Sequence, residues 1–134
     1  MRYWLVKTDP AAYSWEQFLK DKTTTWDGVR NYQARNNLKE MKAGDMALFY
    51  NSGEDRKVKG IVKVAKEFFP DPATDDGRWV AVGLVVVGSL KKPVGLDKIK
   101  NDKELADIAL IKQSRLSVMP LSEPEFRRIV ELGS

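Results

Sequence analysis

The segment Trp79 to Val87 carries apolar residues on both of its alternating faces, and no other pattern in the chain constrains the fold as tightly. Successive side chains of a strand point to opposite sides, so a strand that is apolar on both needs cover on both. A central place in a covered sheet supplies it. Two more strand-like segments precede this one, Asp45 to Tyr50 and Val58 to Phe68. The joints between them, Asn51 to Asp55 and Pro70 to Gly77, are dense in turn-forming residues. In the middle segment alternation puts Lys57, Lys59 and Lys63 on one face and Val58, Val62 and Val64 on the other. The lysine stripe suits a solvated outer face or a polyanionic partner equally well.

Shorter elements surround this block. Tyr3 to Val6 reads as a first strand stopped by Asp9-Pro10, and Ser14 opens a short helix. Ser14 and Gln17 have capping-box spacing, with Tyr13 and Phe18 placed as a hydrophobic staple. A second helix is expected from Asn31 to Lys42, with Ala34, Leu38 and Met41 on its buried face and Gly44 closing it. After Pro93 the pattern predicts a short helix over Lys103 to Ile108 and a last strand over Leu116 to Met119. A terminal helix follows, opened by the Ser122 and Glu125 capping box and striped by Phe126, Ile129 and Val130. The order of elements gives an α/β fold with a strongly bent or barrel-like sheet and helices around it. With 134 residues, no repeat and no long linker, residues 1–134 read as a single domain.

Composition removes whole classes of chemistry. The chain has no cysteine and no histidine, which excludes disulfides, thiolate nucleophiles, cysteine or histidine zinc sites and serine-histidine triads. Asp71, Asp75 and Asp76 lie in one loop, but their spacing lacks a calcium-loop pattern, so turn formation and solvent contact are their expected roles and no metal or cofactor is expected. A binding protein rather than an enzyme is the expectation. No segment approaches transmembrane length and the N-terminus has no signal-peptide core, which points away from a membrane and towards the cytoplasm. The net charge of +4 favours a polyanion only mildly.

Recognition groups concentrate between Trp26 and Asn36, where an indole, a carboxylate, two guanidiniums, a phenol and several amides share one turn and a helix start. Trp, Tyr and Arg stack on flat rings, while Asn, Gln and Asp read ring edges through donors and acceptors. An isolated Trp is usually a core residue; Trp26 in this company is a candidate for stacking on a base. Asn31 joins it as an edge reader. Arg30 and Arg35 suit phosphate contact, or surface ion pairs, and Lys7 is a third candidate for phosphate. Asp9 at the end of the first strand caps a turn or accepts from the exocyclic amine of cytosine. Tyr13 and Ser14 follow it. Tyr50, Asn51 and Ser52 lie at a strand end and either line a cavity mouth or meet solvent. Arg115 and Ser117 share one face of the last strand, facing a pocket or the outside.

These residues carry a resemblance. Tyr3-Trp4-Leu5 with Lys7 and Pro10, the whole Trp26 to Asn36 block, Met41 with Gly44-Asp45, Phe49-Tyr50 with Ser52, Gly60-Ile61, Pro70-Asp71, Trp79 and Arg115-Leu116-Ser117-Val118 are similar to the EVE domain family. The resemblance implies a PUA-like fold, a curved or barrel-like mixed sheet with flanking helices, related to YTH and ASCH domains. It implies a reader of modified bases, modified cytosine in DNA or a modified base in RNA. Trp26 then matches a cage tryptophan of the YTH pattern, and Asp9 the polar position that touches the base. Nucleic acid is the implied partner, with other nucleic-acid-processing proteins as further ones. Family members commonly have Glu where this chain has Asp9 and His where it has Asn51. Asn51 keeps hydrogen bonding but discards a titratable ring. The alternative from another class is a small-molecule or protein interaction module using the same cavity.

Overall fold

The computed structural model describes residues 1–134. Its elements run β1 (Tyr3–Thr8), α1 (Trp15–Asp21), β2 (Thr23–Trp26), α2 (Tyr32–Glu40), β3 (Met46–Asn51), β4 (Lys57–Pro70), β5 (Val80–Gly95), α3 (Leu96–Lys100), α4 (Ala109–Lys112), β6 (Val118–Leu121) and α5 (Glu123–Leu132). The six strands form one sheet in the order β2-β5-β4-β3-β1-β6. β1 pairs parallel to β3, and every other pair is antiparallel.

The sheet is open, since β2 and β6 each have only one neighbour, but it is strongly curved. β5 and β4 separate β2 from β3, so on a flat sheet Trp26 and Phe49 would be about 14 Å apart at their backbones. Their ring centroids are 5.8 Å apart, at 85°. The bend comes from the long β4–β5 hairpin, whose register shifts at four places. Bulges of this kind add an unpaired residue and increase local twist. Gly60 lies at one such shift beneath the Trp15 indole, where a Cβ would come within 2.2 Å of the ring.

The core lies on both faces of the sheet, as the fully buried neighbours Trp4, Leu5 and Val6 in β1 show. Trp4, Phe18, Phe49, Leu38, Met41 and Leu84 are among its fully buried side chains. Buried Asp45 ties the first strand to the turn after α2, accepting from Arg2 N at 3.1 Å, Trp4 Nε1 at 3.0 Å and Lys42 N at 3.0 Å. Helix starts follow the sequence signals. Ser14 Oγ accepts from Gln17 N at 3.0 Å, and the Tyr13 and Phe18 rings stand 5.5 Å apart. At α5 both halves of the Ser122–Glu125 capping box form.

Three expectations need correction. α2 ends at Glu40 rather than Lys42, so Gly44 (φ +96°) turns the chain into β3 and does not cap the helix. Lys103 to Ile108 is not helical: turn bonds from Leu105 N to Asp102 O and from Ile108 N to Leu105 O hold it, and α3 and α4 flank it. β6 begins at Val118, past Arg115 and Ser117, which therefore occupy the preceding connection and not a strand face. No helix is long and apolar enough to cross a membrane.

Candidate functional site

Thr23-Thr24-Thr25-Trp26 is β-branched and aromatic, a composition that fits a pleated, half-buried surface. It forms β2, the edge strand, and Trp26 closes it with 6% of its surface exposed. Gly28 at φ +76° makes the turn that follows, where a side chain would be strained. Asn31 then caps α2, its Oδ1 accepting from Ala34 N at 2.9 Å.

Trp26 lines a cavity of about 390 Å³ with Thr8, Ala12, Tyr13, Thr24, Thr25, Asp27 and Gly28. Its walls come from the edge strand β2 with the turn after it, and from the end of β1 with the segment that follows. The chemistry is an indole, several hydroxyls and one carboxylate. Tyr13 Oη donates to Asp21 Oδ2 at 2.7 Å. Burial, the largest influence, raises its pKa, as does Asp21, against a lowering contact from Thr24, so the phenol stays protonated at neutral pH. Asp27 is exposed and forms no ion pair within the protein.

The structure brings Tyr13 to Trp26 but sends the other expected pocket residues elsewhere. Asp9 accepts from Ala11 N at 2.8 Å and leans over Gly53, closing a turn. Ser14 is spent on capping α1. Tyr50 is buried, and burial raises its pKa against the nearby Arg56 charge. Asn51 is a buried clamp that accepts from Trp15 N and donates to Thr8 O and Tyr13 O at 3.2 and 3.1 Å. Its reach inward reflects three main-chain groups that need a partner, which a strand-end position does not reveal. The amide of Ser52 donates to Thr8 O, continuing the β1–β3 ladder. Asn31 and Arg115 do meet, in a separate groove of about 300 Å³ with Gln33, Lys112, Gln113 and Ser114. The carbonyl of Ser117 accepts from Lys7 N at 2.8 Å.

The three phosphate candidates also part company. Lys7 Nζ donates to the Ser114 carbonyl, and burial lowers its pKa, so it acts as a tether. Arg30 Nη1 pairs with Asp71 Oδ2 at 2.9 Å. Asp71 is buried, contrary to the solvent contact expected of it. Burial alone would raise its pKa, but bonds from Arg30, Ala73 N and Gly28 N outweigh that and hold it below the ordinary carboxylate value. Arg35 has no carboxylate partner; its guanidinium contacts Asn36 Oδ1 and the Arg78 carbonyl.

Sequence reasoning missed the order around these arginines. Tyr32 and Trp79 stack with centroids 5.1 Å apart at 29°. Arg30 lies over Trp79 at 5.5 Å and Arg35 over Tyr32 at 4.9 Å. Arg78 is bound to Asp76, whose pKa it pulls down to about 2 through hydrogen bonds. Guanidiniums and rings thus form a partly exposed layer, with Arg35 as its uncommitted charge. The sequence shows a Ser-x-x-Lys spacing at Ser89 and Lys92, but Ser89 Oγ accepts from Trp15 Nε1 at 2.8 Å and only steadies the core.

Comparison with known proteins agrees with this architecture. Thymocyte nuclear protein 1 of Rattus norvegicus is 34% identical over 97% of this chain and 73% of its own length. The structure of protein Atu2648 from Agrobacterium tumefaciens superposes with a TM-score of 0.95 at 39% identity, covering 100% of this chain and 94% of that one. Human THYN1 protein, solved in complex with 5-methylcytosine containing DNA, superposes with a TM-score of 0.93 at 30% identity over 100% and 98% of the two chains. The YTH domain of the Zygosaccharomyces rouxii MRB1 protein, solved with N6-methyladenosine RNA, shares the fold at a TM-score of 0.64 and 14% identity, covering 99% of this chain and 86% of that one. The EVE domain model matches residues 2–132, and the chain belongs to the EVE domain family.

Proposed function

We propose that this protein binds nucleic acid carrying a modified base, modified cytosine in DNA first, and holds that base in the Trp26 cavity. The carrying observation is the cavity itself: about 390 Å³, lined by an indole, a phenol, several hydroxyls and one free carboxylate. That volume lies within the range of small-ligand sites. The complex of human THYN1 with 5-methylcytosine containing DNA supports the choice of ligand. Extruding a base costs a few kcal/mol, roughly recovered by stacking at ~1 to 3 kcal/mol plus edge bonds, so modest affinity is expected. Trp26 supplies the apolar wall, Arg35 holds phosphate, and Asp27 accepts from an exocyclic amine. No reaction is assigned to the site.

The test is a binding panel of single-stranded and duplex oligonucleotides, with and without one 5-methylcytosine, at two salt concentrations. Preference for the methylated strand together with a fall in affinity at higher salt supports the reading. Equal binding of all strands, or binding insensitive to salt, rejects it in favour of a small-molecule or protein interaction site.

A further inference from the structure

The side chains best suited to reading a base edge, those of Asp9, Asn31 and Asn51, all serve elsewhere, which leaves the edge of any base in the Trp26 cavity to other groups. The main chain of β2 offers them. The amide of Val86 donates to the carbonyl of Lys22 at 2.9 Å. From there the register runs Thr23 to Val85, Thr24 to Leu84, Thr25 to Gly83 and Trp26 to Val82. Antiparallel ladders alternate between bonded and non-bonded pairs. Lys22 faces a bonded pair, so Thr24 and Trp26 turn their main-chain groups to β5, while Thr23 and Thr25 turn theirs away. β2 is the sheet edge, and no strand lies beyond it. Thr25 lines the cavity, with Thr8, Ala12 and Tyr13.

We propose that the main chain of Thr25 reads the base, its N–H donating to a ring nitrogen and its C=O accepting from an exocyclic amine. This rests on the reading of the cavity as a base site and narrows it to bases with an amine beside an unprotonated ring nitrogen, as in cytosine. The chain direction puts the carbonyl of Thr25 on the Asp27 side. The second hydrogen of the amine then meets the Asp27 carboxylate, and a substituent at cytosine C5 points towards Gly28, where a Cβ would find open space. A thymine in the same pose sets its O4 against that carbonyl and carboxylate, and its N3–H against the amide. Thymine carries the same methyl group as 5-methylcytosine, so the pair isolates edge reading from methyl reading.

The experiment measures binding of one single strand carrying 5-methylcytosine, thymine, cytosine or 5-methyl-3-deazacytosine at one position. Wild-type protein should prefer 5-methylcytosine to thymine by about tenfold or more, and lose about tenfold on the deaza analogue. Thr25→Ala keeps the main chain and should keep the preference. Thr25→Pro removes the N–H at an edge position that tolerates proline and should bring the preference close to one. Equal affinity for 5-methylcytosine and thymine, both above cytosine, overturns edge reading by Thr25 while leaving the base site intact. Full preference in folded Thr25→Pro overturns it too. If that variant does not fold, the deaza analogue decides with wild-type protein, and unchanged binding refutes the proposal. No preference among the four strands removes the base site and this inference with it.

Discussion

Arg30 Nη1 and the amide of Gly28 converge on the same oxygen of Asp71, Oδ2, each at 2.9 Å. The connection from β2 to α2 and the loop between β4 and β5 are thereby pinned at one point. Asp71 Oδ1 also accepts from Ala73 N, so the carboxylate satisfies two amides as well as the guanidinium.

Removing it should be costly. Asp71→Ala leaves those donors without a partner, and about 2 to 3 kcal/mol of stability is expected to go, less than for a fully buried pair because Arg30 is partly exposed. Arg30→Ala should cost less. Urea unfolding of the two variants checks the order.

Acid should act through the same carboxylate. Asp71 and Asp45 both have pKa values below the ordinary carboxylate range, so the unfolded chain binds protons more readily than the folded one. Their contribution is fully present above a pH of about 4 and is lost as pH falls through the lower folded values. Melting midpoints measured from pH 5 to pH 2 should decline, and Asp71→Asn should decline less steeply.

Trp26 has two jobs, and only one of them is binding. Its ring packs edge-on against Phe49, so Trp26→Ala is expected to destabilise the fold by about 3 to 5 kcal/mol. Trp26→Phe should stay folded and weaken binding to a 5-methylcytosine strand by about 1 kcal/mol, at the low end for lost stacking. Circular dichroism beside fluorescence anisotropy separates the two effects.

Arg35→Ala should lower affinity for methylated and plain strands alike and reduce the slope of log K against log salt by about 1, as loss of one phosphate contact requires. Arg30→Ala should change the slope less, because its charge is already matched by Asp71. Titrations at several salt concentrations compare the slopes.

Asn51→Ala is expected to cost about 1 to 3 kcal/mol by freeing Trp15 N, Thr8 O and Tyr13 O. Thr8 and Tyr13 both line the cavity, so affinity should fall with stability although Asn51 is not among the lining residues. Differential scanning calorimetry with the same binding assay reads both.

What could be read from the sequence was local. Ser14, Ser122 and Glu125 announce their helix starts because a cap needs only residues three apart, and the β3–β4–β5 block follows from alternation. β2 leaves no such mark, because four residues hold too little periodicity. The site was harder. Trp26 and Tyr13 line one cavity, but the Trp26 to Asn36 run does not tell which face each side chain takes after the Gly28 turn. The burial of Asp71 depends on donors 41 and 43 residues away. Polar groups at strand ends, such as Asn51, can turn to solvent or to loose main-chain ends, and only the fold decides between them.

Thr8 and Trp26 share the cavity although three strands stand between β1 and β2 in the sheet. A cavity made this way has no existence in any part of the fold. Partial opening at β1, at β2 or along the hairpin between them would dissolve it, so a ligand held there draws its affinity from the completed domain and returns it as protection of the whole against unfolding. Saturating ligand should therefore slow hydrogen exchange at amides far from Trp26 as well as near it.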